Sequence, residues 1–148
     1  MRTLFNSECR AGLLARLGGV RPEEPARWGQ MTAPQMLVHL SDTMRLTLGD
    51  QPCSRMQSPL RYPGLKHVVL YVLPWPKGRV QGPPEAFVTG PTCWSVDFAA
   101  LEALVARFTA RGPSGRWPEH PLFGPLSGPE WGVFSFRHFD HHLRQFGA

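Results

Sequence analysis

An all-α fold is what this sequence predicts, and three observations carry the prediction. Apolar residues recur at helical spacing in several stretches, two capping boxes open helices, and no hairpin signal separates candidate strands. The first helix is expected over residues 7–17, with Ser7 as its cap, Leu13, Leu14 and Leu17 as a partial stripe, and Gly18-Gly19 as its end. The second, over 33–48, opens on the capping box Thr32-Ala33-Pro34-Gln35, with proline in the first turn, and stops at Gly49. LKHVVLYVL, residues 65–73, has β-branched residues that suit a strand, but the helical context favours a short helix ended by Pro74 and Pro76. Residues 74–94 read as a loop. A fourth helix over 96–111 carries Phe98, Leu101, Leu104, Val105 and Phe108, and Gly112-Pro113 closes it. The last, over 128–146, begins with a second capping box of Ser127, Pro129 and Glu130. The expected architecture is a four-helix bundle with long proline-rich loops, in one domain spanning residues 1–148. The 16 prolines and 15 glycines place those loops, and connections of this length in a small domain often shape a site.

Composition limits the function. Cys9, Cys53 and Cys93 are odd in number and form no C-x-x-C pair, so they read as free thiols and offer neither a zinc ribbon nor a redox motif. The N-terminal stretch is broken by Glu8 and Arg10 and does not read as a signal peptide, and no apolar run approaches a membrane span. A cytoplasmic protein is expected. The net charge of +5 permits nucleic-acid contact, but the arginines are dispersed and no tryptophan alternates with lysine, which disfavours it.

The segment RHFDHHLRQFGA, residues 137–148, places three histidines in the last predicted helix. At about 100° per residue, His138 and His142 lie about 40° apart, one turn above the other, and flank the Trp131 direction, between Phe134 and Phe146, so that they point inward. Two imidazoles at i and i+4 on one face can reach one metal ion, although the same spacing arises in any amphipathic helix. His39 lies at the edge of the apolar side of the second helix. Three inward histidines from two helices would make a three-nitrogen site with positions open to water or substrate. Imidazole suits zinc, nickel or iron(II) equally.

These residues carry a resemblance. QMLVHLSD around His39, together with RHFDHHLRQFG around His138 and His142, resembles the DinB/YfiT-like superfamily. WGQMTAPQMLVHL, LPWPKG, HPLFGPLS and EWG…RHFDHHLRQFG are similar to a branch of that superfamily known only as a domain of unknown function. The resemblance covers roughly residues 24–147. It implies a four-helix bundle, often a homodimer, with a divalent metal ion on His39, His138 and His142. It also implies one of two chemistries: metal-dependent hydrolysis, or S-transfer with a low-molecular-weight thiol such as mycothiol, bacillithiol or glutathione.

Three further residues are candidates for proton handling. Asp42, one turn after His39, can orient a ligand histidine or act as a base, or else pair as a surface carboxylate with an arginine. His141 can relay a proton or stand half-exposed. His120, before a proline in the loop that leads to the last helix, can fold over the site or merely fix its loop. His67 is expected to be structural, and Cys53 and Cys93 are not expected as ligands. Two functions follow: a metal-dependent enzyme that activates water or a thiol against an unknown small-molecule substrate, or a stress-related protein that binds a metal or ligand without turnover.

Overall fold

The computed structural model describes residues 1–78 and 82–148; part of the expected 74–94 loop, residues 79–81, lies outside the described residues. Among the described residues five α-helices follow one another: α1 (Ser7–Gly18), α2 (Ala33–Leu48), α3 (Pro63–Tyr71), α4 (Trp94–Arg111) and α5 (Gly128–Gln145). Two 3-10 turns, Pro59–Arg61 and Pro84–Phe87, interrupt the loops. No strand forms among the described residues, only an isolated bridge between His120 and Gly124. The all-α expectation holds. No helix among the described residues is long and apolar enough to cross a membrane.

Local chemistry explains the helix ends. Both expected capping boxes form in full: Thr32 with Gln35, and Ser127 with Glu130. The cap of α1 is a correction. Asn6, not Ser7, accepts from the Cys9 amide, at 2.8 Å, because the asparagine carbonyl stands one residue ahead of the first helical turn. α4 starts two residues before the expected 96, where the Asp97 carboxylate accepts from both the amide and hydroxyl of Thr92 and ties down the entering chain. The ambiguous 65–73 stretch is helical and begins earlier, at Pro63, a residue suited to a first helical turn because its missing N–H leaves nothing unbonded there.

One apolar core joins these helices. α2 packs most extensively on α4, α1 packs on α5, and α2 and α3 both meet α5. Leu13 and Leu17 from α1, Leu37, Leu40 and Met44 from α2, Leu101 and Phe108 from α4, and Trp131, Phe139 and Leu143 from α5 are buried together. The N-terminal segment crosses α5 at Gly132, whose carbonyl accepts from the Leu4 amide at 3.0 Å. A Cβ at Gly132 would stand 2.3 Å from the Thr3 hydroxyl and 2.5 Å from the Phe5 ring, so this crossing needs glycine. Arg16 of α1 then clamps α5 by an ion pair to the half-buried Asp140 at 2.7 Å.

Truncating the α5 core residue, Phe139→Ala, is expected to cost about 3–5 kcal/mol of unfolding free energy in urea, through lost burial and an unfilled cavity. Val96→Ala, at a residue 60% exposed on α4, is expected to stay within about 0.5 kcal/mol of the parent.

Candidate metal centre

The two capped helices bring three imidazoles together. His39 projects from α2, and His138 and His142 project from successive turns of α5, which packs against α2. The His39 and His138 Nε2 atoms are 3.2 Å apart, and the His138 and His142 Nε2 atoms 3.1 Å apart. One ligand atom from each residue lies within 4.8 Å of the other two, so the three can hold a metal ion. With metal–nitrogen bonds of ~2.1 Å, ligands at octahedral to tetrahedral angles stand ~3.0–3.4 Å apart, which the two short separations match.

The outer edges of the rings decide which nitrogens are free. His39 Nδ1 lies 2.8 Å from the Ala86 carbonyl oxygen, which only accepts. Nδ1 therefore carries the proton and donates, and Nε2 keeps its lone pair. His142 Nδ1 lies 2.9 Å from Gln145 Oε1. The Gln145 amide is itself oriented, because its Nε2 donates to the Trp28 carbonyl at 2.8 Å and so leaves Oε1 facing His142. His142 Nδ1 thus donates as well, and its Nε2 is also a bare lone pair. Between these two acceptors stands His138 Nε2, which has at most one proton to give. One lone pair is left without a donor, and the chemistry of that donor set fits a cation.

Burial keeps the imidazoles neutral, the form that ligates. Desolvation holds His39 and His138 below the ordinary histidine range, His138 strongly so, and the neighbouring histidines depress His138 further. Burial takes His142 down to about 3, with His39 adding to the effect and the Gln145 bond opposing it.

The three expected proton carriers have different surroundings. Asp42 is fully buried, unlike the surface carboxylate that was one reading of it, although it does pair with an arginine, Arg45 Nη1 at 2.8 Å. Its other oxygen, Oδ2, accepts from the backbone amides of Val88 at 3.0 Å and Thr89 at 2.8 Å, while the Thr89 hydroxyl donates to Oδ1 beside Arg45. Asp42 thereby pins the chain just beyond the Pro84–Phe87 turn, which carries the Ala86 carbonyl that orients His39. It acts on the histidine at one remove. His120 is buried against Phe123, Phe134 and Trp131, and its Nδ1 accepts from the amides of Leu122 and Phe123 at 3.1 and 3.2 Å, fixing the loop. Burial lowers it to about 3, with the Arg61 cation adding to the effect. His141 is half-buried, its ring centroid 6.0 Å from Trp28, 6.2 Å from Trp75 and 5.3 Å from His142. His67 is exposed, with Nδ1 against the Pro63 carbonyl, and the three cysteines are free thiols away from the triad.

Sequence reasoning missed Gln145, Ala86, Phe87 and Trp28. Gln145 was within reach, since it stands three residues after His142 on the same helix. Ala86 contributes a main-chain oxygen, which no side-chain motif marks. Phe87 stacks on the His39 ring with centroids 4.4 Å apart. Gly29, at φ 77°, lets the Trp28 carbonyl meet Gln145, and a Cβ there would lie 2.8 Å from the Gln145 amide nitrogen.

The pH dependence of stability follows from the burial of His120 and His142. Both remain neutral in the folded state to about pH 3 but take up protons near 6.5 when unfolded, so the metal-free protein loses stability as pH falls from 6.5 toward 3. Each contributes a slope of up to about 1.4 kcal/mol per pH unit in that window. Urea midpoints across pH 3–7 are expected to show a shallower slope for His120→Asn than for the parent; equal slopes would refute the assignment. No family model, curated protein or solved structure matches the chain, so the reading of this centre rests on its own donor chemistry.

Proposed function

We propose that the chain is a metal-dependent enzyme of the DinB/YfiT-like kind, in which His39, His138 and His142 hold one divalent ion. One observation carries the reading: the outer-edge hydrogen bonds of His39 and His142 leave two buried lone pairs aimed at a third imidazole that can satisfy only one of them. When bound on three imidazoles, zinc, nickel or iron(II) supplies a Lewis acid that lowers the pKa of water or of a thiol toward neutrality. Hydrolysis and S-transfer share that activation and differ in the nucleophile. The four-helix bundle, with α3 as an addition beside α5, the homodimer and the cytoplasmic location belong to the same reading.

The protein's own residues divide the work. Ala86 and Gln145 hold the ligand rings in the tautomer that exposes Nε2. Asp42 and Gly29 position those two partners. His120 braces the loop before α5 and has its Nδ1 fully used. Proton handling falls to His141, which is half-buried beside His142 between two tryptophans.

Metal content by elemental analysis, with titration of the stripped protein, tests the reading. One equivalent of divalent metal is expected for the parent, and less than about a tenth of that for His39→Ala and His138→Ala, with unchanged far-ultraviolet circular dichroism. Gln145→Leu is expected to weaken metal binding about 10- to 100-fold, since it frees the His142 tautomer while leaving all three ligands in place. A parent protein that binds no metal refutes the centre. Metal-dependent cleavage of an activated ester, or conjugation of a thiol with bimane electrophiles, then distinguishes the two chemistries, and activity in neither assay counts against an enzyme.

A further inference from the structure

A cavity of about 520 Å³ opens beside α2, within the size range of small-molecule sites. Gln30 and Met31 line it from the segment ahead of α2, Val38 and His39 from the helix, and Phe87 and Val88 from the end of the second 3-10 turn. His39 is the one member of the triad in its wall. Phe87 belongs to both places: it lines the cavity and lies flat on the His39 imidazole, at an interplanar angle of 15°.

Two features define the occupant. No aspartate, glutamate, lysine or arginine lines the cavity, so an ion entering it would shed water without meeting a counter-charge. Phe87 and Val88 are 51% and 63% exposed, leaving apolar surface at the rim without a partner among the described residues. Of the neutral polar side chains on this lining, the Thr89 hydroxyl donates to Asp42 and the Gln35 carbonyl accepts from the Thr32 amide, which leaves the Gln30 amide to both donate and accept.

We propose that this cavity is the substrate pocket of the triad, and that it takes an uncharged, largely apolar small molecule whose one hydrogen-bonding group meets Gln30. The assignment of the ligand as substrate rests on the metal-centre reading; the chemical class of the ligand rests on the cavity alone. The molecule lies against Val38, Phe87 and Val88 and reaches the triad on the His39 side.

The neutral fluorophore N-phenyl-1-naphthylamine tests the pocket, with the anionic 8-anilinonaphthalene-1-sulfonate as its charged counterpart. Saturable one-site binding of the neutral probe is expected for the parent. Val88→Trp, a change at an exposed rim position that fills the cavity, is expected to weaken it at least tenfold, with folding checked by circular dichroism. The anionic probe is expected to show no component that Val88→Trp removes. Neutral-probe binding that Val88→Trp leaves unchanged, or an anionic component equally sensitive to it, overturns the proposal. A zinc titration of the same parent sample separates the two readings. Zinc bound with no probe bound sinks the pocket and leaves the metal centre, whereas probe bound with no zinc bound sinks the metal centre and with it the name of substrate.

Discussion

The hydrogen bonds on the outer edges of two imidazoles govern the candidate centre of this structure. A neutral histidine has one donor and one acceptor nitrogen, and a partner at one edge dictates what the other edge can do. Ala86 and Gln145 each claim a proton, at 2.8 and 2.9 Å, and so aim two lone pairs into the same space. Much of the surrounding chain serves those two bonds. Asp42 secures the segment that presents Ala86, and the Trp28-Gly29 turn secures the amide of Gln145. Neither arrangement is needed to bury an apolar core.

Charge is distributed to the same end. The one fully buried carboxylate near the triad, Asp42, is engaged by Arg45, Thr89 and two main-chain amides, so its charge is answered locally and no acid intrudes among the imidazoles. The triad is therefore an all-nitrogen donor set in a low-dielectric setting, where proton uptake is disfavoured and a divalent ion can compete for the lone pairs. The adjoining cavity continues this neutral character outward, which links the chemistry of the centre to the chemistry of what it can admit.

Much of this could be read from the residues alone, for reasons specific to each place. The capping boxes at Thr32 and Ser127 are local, and both formed as written because every partner lies within three positions. The inward pairing of His138 with His142 followed from helical periodicity. The convergence with His39 needed two helices to meet; its place at the edge of the apolar side of α2 allowed that meeting, and the family resemblance pointed to it as well. The Asn6 cap and the early start of α4 eluded a pattern reading, since side chains just outside a helix set its first turn. The burial of Asp42 is not legible in the sequence, because its amide partners sit 46 and 47 residues away, in a loop whose path no periodicity describes. Cavities are invisible to sequence for the same reason: they belong to the spaces between elements.

Arg137 illustrates the last kind of information. Its wheel position marks it as polar surface, yet its guanidinium donates to the carbonyl oxygens of Val69, Leu70 and Leu73 at the end of α3. α3 has no glycine at its terminus and no basic residue in its last turn, and the nearby Trp75 indole reaches only the Val69 oxygen, at 3.2 Å. Part of the cap of this short helix is thus supplied from more than sixty residues downstream, one position before a triad histidine. The last turn of α3 therefore leans on a side chain of α5, so the integrity of one helix end is coupled to the docking of the other.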